Sequence, residues 1–230
     1  MIAAIVPAHN EEMRLGECLR SLSRAGACTQ LGGEEVRIIV VLDDCRDGTA
    51  RIAQGWPVQV IGLRARNVGL ARALGAAVAL AQGARWLSFT DADSVVAPDW
   101  IAAQLGEAAH CVCGTVEVAD WSAGDSGLRT RYESRYRDAP GHRHIHGANL
   151  GVCARAYERA GGFAPLRAHE DVALVRALQA SGARIAWSNR PRVQTSARLD
   201  CRAPEGFGAH LARLRQQVQG AAFIALEGWA

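Results

Sequence analysis

The chain contains no lysine: all 26 of its basic residues are arginine. That absence excludes Schiff-base chemistry and any mechanism that needs a P-loop lysine. Alongside the abundant Ala and Gly, it reads as the signature of a GC-rich genome. Glycine-built phosphate cradles are missing too, since no Gly-x-Gly-x-x-Gly follows the first apolar segment. A nucleotide bound here is therefore expected to be held by metal and arginine. The seven cysteines include no Cys-x-x-Cys, which argues against zinc ribbons and redox motifs. Most lie among apolar neighbours, read as small core residues, and suit a reducing cytoplasm. No run of about 20 apolar residues occurs, so no membrane span is expected. The opening run Ile2–Val6 is too short for the apolar region of a signal peptide. A formal charge of +3 is too small to point to nucleic acid.

What is present is a soluble, globular composition, 49% hydrophobic and 21% charged over 230 residues, read as a single domain. Ala3–Val6, Val36–Leu42, Val58–Leu63 and Trp86–Thr90 read as short buried strands. Helical patterns separate them: Leu15, Leu19 and Leu22 ending near Gly26, a short helix to Gln54, and an Ala-rich helix from Asn67 to Ala81. Another follows from about Asp99 to Ala109. This alternation predicts an α/β fold, a mostly parallel sheet with helices on both faces, and strand-end loops gathered on one rim. The second half is less regular. Val112–Val118 reads as a strand, and Leu128, Tyr132 and Tyr136 keep a helical i, i+4, i+8 spacing. His169-Glu170-Asp171 opens an amphipathic helix to Ala180, and Arg184–Trp187 is a last short strand. Thr195–Gly208 reads as a loop, and Phe207, Leu211, Leu214 and Val218 mark a terminal helix.

The strand Trp86–Thr90 ends abruptly in Asp91-Ala92-Asp93. In open α/β sheets ligands sit just beyond the carboxyl ends of the strands. Two carboxylates there need a cation or hydrogen-bond donors, and hard oxygen ligands shared with a phosphate suit Mg²⁺ or Mn²⁺. The plainer alternative has Asp91 capping the next helix and Asp93 solvated in a turn.

Several short motifs then line up: Pro7-Ala8-His9-Asn10-Glu11-Glu12, Asp43-Asp44, Asn67-x-Gly69 with Arg72, Asp91-x-Asp93, Gly147-Ala148-Asn149, Gly161-Gly162-Phe163 and Glu170-Asp171. In order and spacing the set resembles family 2 glycosyltransferases of the GT-A (Rossmann-like) fold. The resemblance implies a nucleotide-sugar half over 1–110, an acceptor and catalytic half over 111–200, and a C-terminal helix over 201–230. It places Pro7, Ala8 and Glu11 around the base, with Asp43 or Asp44 accepting from base or ribose. The Asp44-Cys45-Arg46-Asp47 loop is one residue shorter than the usual pattern, which leaves that choice open. Asn67 and Arg72 would bracket the nucleotide, Asp93 would ligate a divalent cation, and Asp91 would support the metal or the ribose.

The activity implied is metal-dependent, inverting transfer of a sugar from a nucleoside diphosphate, UDP before GDP, to an acceptor hydroxyl. Asp171 would be the base and Glu170 would orient it or the acceptor. The plain alternative for that pair is acidic residues favoured in a helix's first turn. His142, His144 and His146 alternate; exposed loop histidines are favoured over a triple-histidine metal site. His146 and Asn149, in and beside the Gly147-Ala148-Asn149 motif, are candidates facing phosphate, sugar or acceptor. Arg198 and Arg202 are candidate phosphate clamps in a closing loop, and His210 a remote candidate metal ligand. The arginine-rich segment Arg129–Arg137 suits an anionic acceptor or a membrane surface, with a solvated helix face the simpler reading. The acceptor stays open among glycan, lipid carrier and small metabolite. The terminal helix could also serve a homodimer or peripheral membrane contact. Two rivals remain: a nucleotide-sugar-binding relative without chemistry, and a sugar-nucleotide pyrophosphorylase, which lacks its Gly-rich loop here.

Overall fold

Alternate residues of the first strand face opposite ways, and that alternation sorts the core into two layers. In β1 (Ile2–Ala8), Ile2, Ala4, Val6 and Ala8 join one buried cluster, Ala3 and Ile5 the other. The computed structural model describes residues 1–121, 126–196, 208–209 and 211–217. After β1 come α1 (Leu15–Gly26), β2 (Val36–Asp43), α2 (Thr49–Gln54), β3 (Gln59–Leu63), α3 (Val68–Ala81), β4 (Trp86–Phe89) and β5 (Val95–Val96). The second half holds α4 (Trp100–Gly106), β6 (Cys111–Val118), α5 (Ser126–Glu133), β7 (Leu150–Cys153), α6 (Ala154–Arg159), α7 (Glu170–Ala180) and β8 (Ile185–Thr195). Residues 211–217 are helical, and Leu211 and Leu214 pack on Val118, Leu128 and Tyr132.

The strands form one eight-stranded sheet in the order β3-β2-β1-β4-β7-β6-β8-β5. The pairs β3–β2, β2–β1, β1–β4 and β6–β8 are parallel, while β7 runs antiparallel to both β4 and β6, and β5 to β8. Helices α1 and α4 cover one face; α3, α6 and α7 cover the other. Among the described residues no helix is long and apolar enough to cross a membrane.

Three strands depart from the sequence reading, one of them Leu150–Cys153, which joins β4 to β6. Val95–Val96 is an unforeseen short strand. The last strand does not stop at Trp187 but runs from Ile185 to Thr195. Ser188-Asn189-Arg190-Pro191 looks like a loop because it is one locally: the β6–β8 register jumps there from Gly114↔Ser188 to Thr115↔Arg192. Asn149 fills the irregularity. Its Nδ2 donates to the carbonyls of Thr115 (2.7 Å) and Pro191 (2.9 Å), and its Oδ1 accepts from Trp100 Nε1 (2.8 Å). A Cβ on Gly114 would stand 2.2 Å from Asn149 Nδ2, so that strand position has to be glycine.

Candidate active site

The parallel strands β1, β2 and β4 end on one rim, and their carboxyl ends carry Pro7-Ala8, Asp43 and Asp91-Ala92-Asp93. The first node on that rim is Asp43, 4% exposed. Its Oδ1 accepts from the amides of Ala65 (2.7 Å) and Arg66 (2.8 Å), and its Oδ2 from Asn67 (2.7 Å). The carboxylate thus closes the loop between β3 and α3. His9 Nδ1 donates to the Asp43 carbonyl at 2.5 Å, while the Glu11 amide donates to Thr49 Oγ1 at 2.7 Å. Asp44 lies outside the cleft lining and pairs with Arg66 (2.6 Å) and Arg46 (3.6 Å). Its hydrogen bond with Arg66 is the main cause holding its carboxyl below the usual range.

Asn67 caps α3: its Oδ1 accepts from Leu70 N at 3.0 Å, replacing a bond the helix end lacks. The same side chain donates to Pro165 O (2.9 Å), and Gly69 N donates to Leu166 O (3.0 Å). The Asn67-x-Gly69 motif therefore docks the loop that leads into α7.

Arg72, one turn further, is 3% exposed, so the reading of it as a solvated helix residue is set aside. Its Nη2 meets Asp91 Oδ1 at 2.5 Å, and its Nη1 pairs with Glu170, itself only 4% exposed. Phe163 lies beneath the guanidinium, 5.8 Å from ring centroid to Cζ. Gly147 passes against the other side, where a Cβ would sit 2.4 Å from Nη1. One buried cation thus joins four motifs that lie far apart in sequence. Beside it, Gly147 N donates to Asp171 Oδ2 and Val172 N to Asp171 Oδ1, both at 2.7 Å. His169, just before α7, is left-handed at φ 61°, as are Asn10 (53°), Asp44 (51°) and Arg66 (48°) around the same rim. Non-glycine residues held this way cost on the order of 1–3 kcal/mol each and cluster at functional sites.

Asp91 and Asp93 both line the cleft. Ser94 Oγ donates toward Asp93 Oδ1 (3.4 Å) and lies within hydrogen-bond distance of Thr195 Oγ1 (3.1 Å). The Cys18 thiol donates to Asp91 O at 3.4 Å, and burial with the charges of Asp93, Asp91 and Glu11 pushes its pKa far up. It is an inert core thiol. No three His, Cys, Asp or Glu side chains come together as a metal cage among the described residues. Mg²⁺-type ions commonly take one or two carboxylates and complete their shell with substrate phosphates and water. The hard oxygens of Asp91 and Asp93 are of the type that suits such an ion.

The other wall corrects the reading of exposed histidines. His142 is buried at 1% exposure, and His144 and His146 are half-buried. Trp121, Tyr132, Tyr136, His144, His142 and Trp187 form a continuous ladder of rings with successive centroids 5.7, 5.0, 4.1, 5.4 and 6.0 Å apart. Burial, reinforced for His144 by His142, lowers both imidazole pKa values.

Of the residues singled out in the sequence, Pro7, Ala8, Glu11, Asp43, Asn67, Arg72, Asp91, Asp93, His146, Glu170 and Asp171 line one cleft of about 850 Å³. That volume falls within the roughly 300–1,000 Å³ of small-molecule sites. Asn149 is wholly buried outside the cleft lining, and its three side-chain bonds are internal to the sheet. Arg198, Arg202 and His210 lie outside the described residues. The sequence reading did not single out His9, Arg66, Arg167 and Arg213 as cleft-lining residues. Tyr132, Arg135 and Tyr136 also line the cleft; they belong to the Arg129–Arg137 segment for which a solvated helix face was the simpler reading.

The sequence model of glycosyl transferase family 2 matches residues 3–160. The chain belongs to that family. No curated protein sequence matches this family 2 chain. Solved structures with the same fold include Staphylococcus aureus TarS 1-349 in complex with UDP-GlcNAc, at TM-score 0.68 and 14% identity over 90% of this chain. A mannosyltransferase of Pyrobaculum calidifontis in complex with GDP-Man and Mn²⁺ aligns at TM-score 0.64 and 18% identity over 95%. GalNAc-T7 with UDP, GalNAc and Mn²⁺ aligns at 0.63 and 14% over 85%. The family 2 chain spans 61%, 61% and 44% of those three chains respectively.

Proposed function

We propose that this family 2 domain moves a glycosyl group from a nucleoside-diphosphate sugar, UDP-linked in the first instance, to an acceptor hydroxyl with inversion. Asp171 is the general base. The observation that carries this reading is the Arg72 node, which gathers Asp91, Glu170 and the Gly147 loop in one cleft beside Asp171. The similar structures with UDP-GlcNAc, GDP-Man and Mn²⁺ support the donor class and the cation.

Asp93, with Asp91 beside it, would hold the Mg²⁺ or Mn²⁺. Bound there, the ion would neutralise charge on the diphosphate. The chain's own residues do the rest. Asp43 and Asn67 shape the nucleotide end of the cleft, and Glu170 fixes Arg72 so that Asp91 keeps its place. Two amide donors orient the Asp171 carboxylate. The acceptor oxygen attacks the anomeric carbon while its proton passes to Asp171. The bond from that carbon to the diphosphate oxygen breaks, and the leaving group takes the electron pair. A diphosphate is already a good leaving group, so no second acid is needed, in contrast to glycoside hydrolysis.

Calorimetry with UDP and GDP, in Mn²⁺ and in EDTA, tests the donor side. Tight binding of UDP that is lost both in EDTA and in Asp93→Ala is expected. Binding indifferent to both would remove the metal assignment, and preference for GDP would reassign the base. Asp171→Asn should keep that binding and lose turnover by at least about 10²-fold, the scale of general-base catalysis. A variant that kept turnover would end the role given to Asp171.

A further inference from the structure

We infer that Tyr136 and His146 are a positioning pair that holds the Gly147 amide against Asp171. The inference rests on the reading of Asp171 as the base. Tyr136 lies just beyond α5, its ring stacked between Tyr132 (5.0 Å, 20°) and His144 (4.1 Å, 8°). Its phenol oxygen accepts from Val116 N of β6 at 2.8 Å. A backbone N–H can only donate, and the Tyr132 hydroxyl also donates to this oxygen, so the phenol proton is left for His146 Nε2, at 3.0 Å. Burial raises the Tyr136 pKa, which keeps that proton in place.

His146 is the residue whose peptide bond carries the Gly147 N–H. A trans peptide is planar, so fixing the residue before it and the Cα after it fixes where the N–H points. Tyr136 fixes the His146 side; Arg72, packed against Gly147, fixes the other. Between them the amide is held 2.7 Å from Asp171 Oδ2. The neighbouring rings follow the same logic. His144 Nε2 accepts from Arg137 N (3.1 Å) and His142 Nδ1 accepts from His144 N (3.1 Å), while His142 Nε2 donates to Ser188 O (3.3 Å). Each of the three imidazoles therefore has one nitrogen committed as an acceptor. The assigned state is three neutral rings, with His146 protonated on Nδ1.

Two measurements test this. The first is a long-range ¹H–¹⁵N correlation spectrum of the imidazoles at neutral pH. It should show His146 and His144 unprotonated at Nε2 and His142 unprotonated at Nδ1; in Tyr136→Phe, which keeps the ring, the His146 preference should collapse. A protonated Nε2 on His146 in the wild type would overturn the pair outright.

The second measurement is release of UDP, with water as acceptor, from whichever of UDP-glucose, UDP-galactose and UDP-N-acetylglucosamine wild type turns over fastest. Tyr136→Phe and His146→Leu should each lower kcat about tenfold, the scale of one net hydrogen bond. KM for the donor and calorimetric UDP affinity should stay within about twofold, since neither residue is assigned a nucleotide contact. His146→Gln, whose side-chain carbonyl can accept from Tyr136, should recover part of the loss. Retained UDP affinity also reports that each variant is folded. If kcat is unchanged in both variants while Asp171→Asn abolishes turnover, the positioning pair is wrong and the base stands. If Asp171→Asn retains turnover, the base reading fails first. A fall in UDP affinity matching the fall in kcat would make Tyr136 and His146 merely structural and would also overturn the inference.

Discussion

Arg72 and His142 are both almost wholly buried, yet the structure satisfies them by opposite means. Arg72 is held by two carboxylates, Asp91 and Glu170. His142 is held by backbone groups on either side, His144 N and Ser188 O, and by rings above and beside it. One wall of the cleft is thus built on an ionic node, and the other on a stack of rings. Buried ions depend on one another, because removing one leaves its partners charged and unpaired. Neutral stacked rings are less interdependent but depend on staying neutral. The split suits the proposed chemistry: a charged diphosphate meets charge, and an uncharged hydroxyl meets rings and amides.

Removing the ionic hub is the harshest way to break the comparison. Arg72→Met keeps bulk but leaves Glu170 buried without its cation. Guanidinium chloride unfolding should show a loss of about 3–5 kcal/mol, as for one partner removed from a buried ion pair. Arg72→Lys should rescue little, because one ammonium cannot fork to two carboxylates. A variant of wild-type stability would mean that the node is not ionic in solution.

Gly114→Ala probes the seam between the two sides. The added methyl meets Asn149 at 2.2 Å, and Asn149 ties Trp100 on one face to the β6–β8 irregularity. A loss of about 1–3 kcal/mol is expected from such overpacking. Unchanged stability would mean that the register jump adjusts freely.

The smallest effect concerns the neutrality of the rings. His142 and His144 have lowered pKa values, mainly by burial; Asp138 pulls each upward, and Arg137 pushes His142 further down. The unfolded chain therefore takes up their protons first, near an ordinary imidazole pKa of about 6.5. Stability is present above that value and falls as pH drops through it. The melting temperature should decline between roughly pH 7.5 and 5.5, above the range of ordinary carboxylates, and decline less in His144→Gln. An equal decline in both would place the sensitive group elsewhere.

Much of the donor side was legible because strand periodicity and strand ends are local properties. Val36–Leu42 reads as a strand from its own residues, and Asp43 stands where such a strand must stop. Asp91-x-Asp93 was visible for the same reason. Arg72 was harder: an arginine one turn into a helix looks solvated until Asp91 and Glu170 arrive from elsewhere. On the opposite wall the histidines were misread because alternation in a polar stretch carries no record of the rings that will stack upon it. Asn149 had the look of a ligand-facing residue, since nothing local announces a strand irregularity awaiting a filler.

The sequence by itself determined the alternation of strands and helices and the rim on which the carboxylates gather. Those follow from periodicity and turn chemistry, which act over a few residues, while the family was legible as a resemblance in the order and spacing of the motifs. The tertiary structure alone decided which charges pair, which amide meets Asp171, and which rings stack. Those depend on groups as far apart as Arg72 and Glu170, and their energies exist only once burial removes the water that would otherwise satisfy each group separately.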